Sequence, residues 1–414
     1  MSGLIRAWVW GCLGLAVGLG GAAVAEDEVV DWRAWGSGHA REALGLAPKV
    51  FFADGEIGLG MVARGDLQAM AGQTLVRLGD VEGAEGALRA VELTRKGMVD
   101  RQDRAGLDWA RADVLAQLGR MNKARRAAAD AGGGNLPMGL LADGLLGLAV
   151  GESGDPAAMR KTLASTMQAM NEALVWQEEE EGWSDSWVAY ELVAMRLLAG
   201  DVDGALAMAG DIADEPIRHE SLGRVAMGLA EVGRLGEARR VLESVEAYME
   251  KMEAETRRRG GLEACEDCVD VGPIRIEVVG AWSALGEFKR AKAQLERSAP
   301  EWPSEKAEGL ALMAVYMTGV AEAAARRQAF EQAVELLGGI ESDWDKAWSA
   351  FYVGRDIARG GDLEAAELLV KSDKRPIVKG YAHAGLAWGA MMRVMPKRLG
   401  QELAGLDAVG VRMR

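Results

Sequence analysis

Proline and cysteine are scarce in this chain, with nine and three residues respectively among 414. So few prolines, and no Gly-X-Y period, exclude collagen-like and proline-rich linker classes. Basic residues are in deficit too: 48 Lys and Arg stand against 63 Asp and Glu, a formal charge of −15. That balance argues against a nucleic-acid partner, whose affinity comes mostly from cationic side chains releasing counterions. Only three histidines occur, and no HExxH, GxSxG or phosphate-loop signature is present. What is abundant is apolar and small. At 49 % hydrophobic and 27 % charged residues the chain is far too apolar to stay disordered and longer than one ordinary compact domain. Its 54 glycines are nearly twice the usual share of about 7 %.

The first 25 residues read as a secretory signal. Arg6 is followed by an apolar stretch from Ala7 to Gly20, and Ala23-Val24-Ala25 forms a small-x-small cleavage site before Glu26. Cleavage after Ala25 predicts an exported protein, periplasmic or associated with the cell envelope. A retained anchor is the competing reading, because the run from Ala7 to Ala25 is 19 residues long and just spans a bilayer. A lipoprotein signal built on Cys12 fits less well, since Trp10 is bulky and most of the apolar stretch follows the cysteine. Later apolar stretches, 136–151 and 309–321, are too short or interrupted by Asp143 to cross a membrane. No membrane span is expected after cleavage.

A short pattern recurs along the rest of the chain: Gly, a charged residue, an apolar residue, two variable residues, then Ala. It stands at Leu78–Ala84, Leu118–Ala124, Ala199–Ala205, Val232–Ala238, Leu285–Ala291 and Gly360–Ala366. A seventh copy, Arg327–Ala333, carries Gln328 at the Gly position, and Gly154-Asp155-Pro156 resembles an eighth. The physics is that of a helical hairpin. Gly ends one helix in a left-handed conformation, the next polar residue caps the second helix, and the Ala lets the two approach closely. Eight and four residues before each turn the positions are mostly apolar, as in Val225 and Leu229 or Val278 and Trp282. That is the buried stripe of an amphipathic helix.

On these residues the chain resembles the tetratricopeptide-repeat (TPR) family, whose consensus places Gly, an acidic residue, an apolar residue and Ala in the same relative positions. Seven residues before the turn, where that consensus is small, stand Gly72, Ala112, Val193, Ala226, Val279, Ala321 and Gly354. The consensus Trp and the closing Pro are missing, and turn spacings run from 33 to 53 residues. The resemblance implies an all-α, right-handed α-solenoid of about seven to eight antiparallel helix pairs, degenerate and TPR-like. The expected organisation is a signal at 1–25, an N-terminal capping segment at 26–60, a repeat domain at 61–395 and a C-terminal cap or tail at 396–414. Inserted loops are expected around Glu178–Ser184 and Arg257–Cys268.

In that family the first helix of each pair lines a concave binding face, notably ten, six and two positions before the turn. Carried over, these positions are Trp109, Tyr190 and Phe351, then Asp113, Glu322 and Arg355, then Gln117, Arg326 and Arg359. Aromatics mixed with both signs of charge suit a protein or peptide partner. The function expected is a non-enzymatic interaction scaffold, without cofactor or metal. A helical α/α toroid that binds or cleaves carbohydrate is the alternative, using Trp and paired carboxylates in a central cleft.

Cys265-Glu266-Asp267-Cys268 supplies the only cysteines beyond the leader. A structural disulfide is the favoured reading in an oxidising compartment. A redox pair and a metal half-site are the alternatives: surrounding carboxylates raise thiol pKa values, and two further ligands would be needed for a metal. Gly58-Leu-Gly60 mimics a dinucleotide fingerprint by letter only, with no alternation of strands and helices around it. Thirteen tryptophans are many for this length, and core packing between helices rich in Ala and Gly accounts for most of them.

Overall fold

The computed structural model describes residues 30–50, 57–134, 201–261, 268–298, 302–319 and 322–394, together with Cys265 and isolated positions between 139 and 197. The expected signal (1–25), tail (396–414), turn at Gly154-Asp155-Pro156 and loop around Glu178–Ser184 lie outside these residues. Among the described residues the protein is all-helical, with no strand. We number the helices α1 (Trp32–Leu46), α2 (Ile57–Leu78), α3 (Val81–Gly97), α4 (Arg101–Gln117), α5 (Met121–Gly134), α6 (Val202–Asp211), α7 (Glu215–Glu231) and α8 (Leu235–Arg258). They continue as α9 (Gly272–Ala284), α10 (Phe288–Glu296), α11 (Pro303–Val315), α12 (Ala323–Leu337), α13 (Asp343–Gly360), α14 (Leu363–Ser372) and α15 (Pro376–Val394).

The recurring motif makes the turns. Gly79, Gly119, Gly233, Gly286 and Gly361 all have positive φ, the left-handed conformation that costs residues with a Cβ roughly 1 kcal/mol or more. After the turn Asp80, Asp201 and Asp362 accept hydrogen bonds from backbone N–H groups of α3, α6 and α14, satisfying donors that a helix start leaves open. The alanines of the motif, Ala84, Ala124, Ala205, Ala238, Ala291 and Ala366, are buried where the two helices meet.

One copy does not behave this way. Arg327–Ala333 lies inside continuous helix α12, and α11 ends upstream of it, at Val315. Without glycine at position 328 nothing favours a left-handed residue there, and Ala323–Arg327 are good helix formers. The wide spacing around Arg257–Cys268 is absorbed mainly by α8, which runs 24 residues to Arg258 before the loop begins.

Burial sorts the helices into two layers. Along α8 the buried residues are Ala238, Leu242, Val245, Tyr248 and Met249, a single stripe. Along α9 nearly every residue from Glu277 to Ser283 is buried. The first helix of each pair is thus enclosed by neighbours on several sides: α7 packs on α9, α9 on α11, α11 on α13 and α13 on α15, while α2 packs on α4.

The two ends of this array meet. Helix α15 packs against α13 on one side and against α1 and α2 on the other, and α1 lies along it as closely as paired helices elsewhere lie along each other. Contacts run antiparallel: a Cβ on Gly36 would touch Ala390, the ring Nδ1 atoms of His39 and His383 share a hydrogen bond of 2.7 Å, and Arg393 sits 4.7 Å from the Trp32 ring. Tyr381 also donates to Asp66 of α2 at 3.0 Å. The segment expected to cap the N-terminal end is therefore engaged by the C-terminal helix.

Candidate functional site

The residues expected on a concave face fall into three groups. Trp109, Tyr190 and Phe351, ten positions before the turn, are enclosed in the core, Trp109 and Phe351 completely. Two of the three residues six positions before the turn have settled partners. Asp113 of α4 receives Arg77 through both terminal nitrogens, at 2.6 and 2.7 Å, and Gln73 at 2.9 Å. It clamps α4 to α2. Arg355 is half-buried and donates to the neighbouring Asp356 at 2.8 Å. Two positions before the turn, Gln117 and Arg359 are half-buried.

Glu322 and Arg326 correct the expectation, because the repeat copy that placed them on a first helix has no turn. Glu322 stands at the start of α12 and accepts the Gly319 N–H at 3.2 Å, while Arg326 lies in the first turn of α12 and donates to the Met317 carbonyl at 3.2 Å.

Arg355 and Arg359 meet residues that were not named among those expected on the concave face. With Arg224 and Glu231 of α7, Glu277 of α9, Glu308 of α11, and Tyr316 and Tyr352, they line a cavity of about 30 Å³ between α7, α9, α11 and α13. Tyr316 donates to Glu231 at 2.7 Å and Ser349 to Glu308 at 2.6 Å. Glu277 takes two donors on one oxygen, the Tyr190 hydroxyl at 2.9 Å and Arg224 at 2.8 Å. Burial raises both the Glu231 and Glu308 carboxyls to about 7, against the pull of Tyr316 and Arg359 on the first and of Ser349 and Arg355 on the second. Burial likewise holds the Tyr316 hydroxyl well above its ordinary range, helped by the adjoining Glu231.

Glu277 and Glu308 were missed because each lies inside a helix at a position the motif leaves variable; Glu231 closes α7 two positions before Gly233, a place the concave-face rule covers but where it was not picked out. A signal existed: Glu231 and Glu308 interrupt otherwise apolar stretches, Met227–Ala230 and Gly309–Val315.

Cys265 and Cys268 are joined as a disulfide with Cα atoms 5.3 Å apart, and Arg259 points at the Cys265 sulfur from 3.6 Å. Among the described residues no group of three or more His, Cys, Asp or Glu side chains is arranged to hold a metal ion, and no helix is long and apolar enough to cross a membrane. No family model matches the chain, and no curated protein matches it in sequence.

Proposed function

We propose that the protein is an exported, non-enzymatic scaffold of the periplasm or cell envelope that holds a polypeptide partner at the turn end of its inner helix layer. In this reading the array is a degenerate, right-handed, TPR-like α-solenoid of about seven to eight antiparallel helix pairs, with α1 packed beside α15. One observation carries the proposal: Arg355, Arg359, Tyr316 and Tyr352 meet Glu231 and Glu308 at a single cavity. Guanidinium groups, tyrosines and carboxyls gathered in one recess suit the mixed polar and apolar surface of a polypeptide better than a polyanion or a lipid.

The test is crosslinking and pull-down from an envelope fraction, comparing the unaltered protein with Tyr352→Phe and Arg359→Gln, which keep the buried volume and add no charge. Trp109 and Phe351 are unsuitable targets because substitution there disrupts the core. The proposal expects specific proteins to be lost with both variants; an unchanged set overturns it.

A second reading, an α/α toroid acting on carbohydrate, draws on the meeting of α1 and α15 and on two carboxyls poised near 7, a value suited to a general acid. Against it stands the size of the cavity. About 30 Å³ admits one or two waters or the tip of a single side chain, and no sugar ring. Turnover of a polysaccharide by the purified protein would favour this reading.

A further inference from the structure

The cavity between α7, α9, α11 and α13 holds two acceptors with nothing to accept. Glu231 uses one oxygen for Tyr316, and Glu277 uses one for Tyr190 and Arg224; the Oε2 atom of each is buried without a hydrogen-bond partner. A buried acceptor left unsatisfied keeps the full cost of its desolvation. Both line the same recess, so a donor entering it would relieve both helices.

The charge of the recess indicates the kind of donor. Three guanidinium groups, Arg224 of α7 with Arg355 and Arg359 of α13, face four carboxyls: Glu231, Glu277, Glu308 and Asp356. Glu305 of α11, the other acid near Glu308, is engaged by Arg275 of α9. When all four carboxyls are ionised the recess carries one negative charge in excess. Water brings a donor without charge. A guanidinium brings charge, but as a rigid planar group of four heavy atoms it is bulkier at its tip. A primary ammonium has the bulk of a water molecule, three donors and one positive charge.

We propose that this cavity is a subsite for the ammonium group of a lysine side chain presented by the polypeptide partner. The inference rests on the scaffold reading for its source of lysine, though not for the chemistry of the recess. The hydrophobic stem of the lysine would pass Met227, Leu312 and Ile276, which also line the cavity. At neutral pH the excess negative charge is reduced by protons held on Glu231 and Glu308, both raised to about 7 by burial. An arriving ammonium takes over that role, and a proton leaves to solvent.

The experiment measures calorimetric binding of n-butylammonium and of paired peptides carrying lysine or norleucine at one position, from pH 5.5 to 8.5, in buffers of different ionisation enthalpy. The inference expects lysine to bind at least tenfold more tightly than norleucine at pH 8. Affinity should fall up to tenfold per pH unit below about 7, with release of up to one proton. Glu231→Gln and, separately, Glu308→Gln should lose the lysine preference while melting at or above the unaltered protein at pH 8; a variant that fails to fold leaves the other to decide. Equal binding of lysine and norleucine, or a preference retained in both variants, overturns the inference. Proteins captured from the envelope without lysine dependence leave the scaffold standing and remove the subsite. Butylammonium bound through Glu231 with no protein captured does the reverse.

Discussion

Glycine in this protein does two kinds of work, and they separate by conformation. At Gly361 φ is +75°, and the residue ends α13 where a Cβ would be strained. At Gly385 and Gly389 the backbone is ordinary helix, but a Cβ would stand 2.0 Å from the Phe351 carbonyl oxygen and 2.1 Å from that of Arg355. Helices α13 and α15 thus touch through their backbones, and the small residues of α15 let it be enclosed closely. Gly385→Ala is expected to destabilise the fold by about 1–3 kcal/mol or more, since rigid backbone must move. Gly236→Ala, where a Cβ on α8 meets nothing, is expected to be neutral or to stabilise by about 0.5–1 kcal/mol. Thermal melting of the two variants side by side checks the contrast.

Between helices, the pair His39 and His383 gives the junction of α1 with α15 a pH dependence. Burial lowers both imidazoles to about 4, assisted at His39 by the facing ring and at His383 by Lys379. The unfolded chain binds protons near 6.5, so the folded state is favoured above that value and loses this contribution progressively as pH falls from about 6.5 to 4. Glu231 and Glu308 act in the opposite sense, since carboxyls raised from 4.5 to about 7 lose stability as pH rises through that window. The informative quantity is therefore the difference in melting temperature between the unaltered protein and His39→Gln. It should change by several degrees between pH 7 and pH 4.5, and a constant difference would refute the assignment. Neither histidine showed this role in the sequence, where 344 residues separate them. The hairpins were legible because glycine, cap and alanine are local requirements of a tight turn. The pocket was not: Glu231, Glu277 and Glu308 act through neighbours on other helices. The misassigned turn at Gln328 has the same origin, a pattern of apolar and small residues that a continuous helix satisfies equally well.

Taken as one body, the protein has its first and last described helices side by side. Trp32 lies next to Arg393 and Gly36 next to Ala390, so a short linker from Val394 to Val30 would turn α15 and α1 into an ordinary helical hairpin. A permuted chain joined in this way and opened at the exposed Gly338-Gly339 turn is expected to melt cooperatively within a few degrees of the parent. Removal of α1 instead uncovers α15 and should give a broad, early transition; equal melting of the α1-deleted protein would show that the junction contributes nothing. In the natural order, closing a loop of 344 residues costs roughly 5 kcal/mol of chain entropy, which the α1 and α15 contacts must exceed. Mechanically, that junction is where the molecule yields first. Tension applied at its two ends would peel α1 from α15 one turn at a time from the Trp32 side, where Arg393 lies against the Trp32 ring.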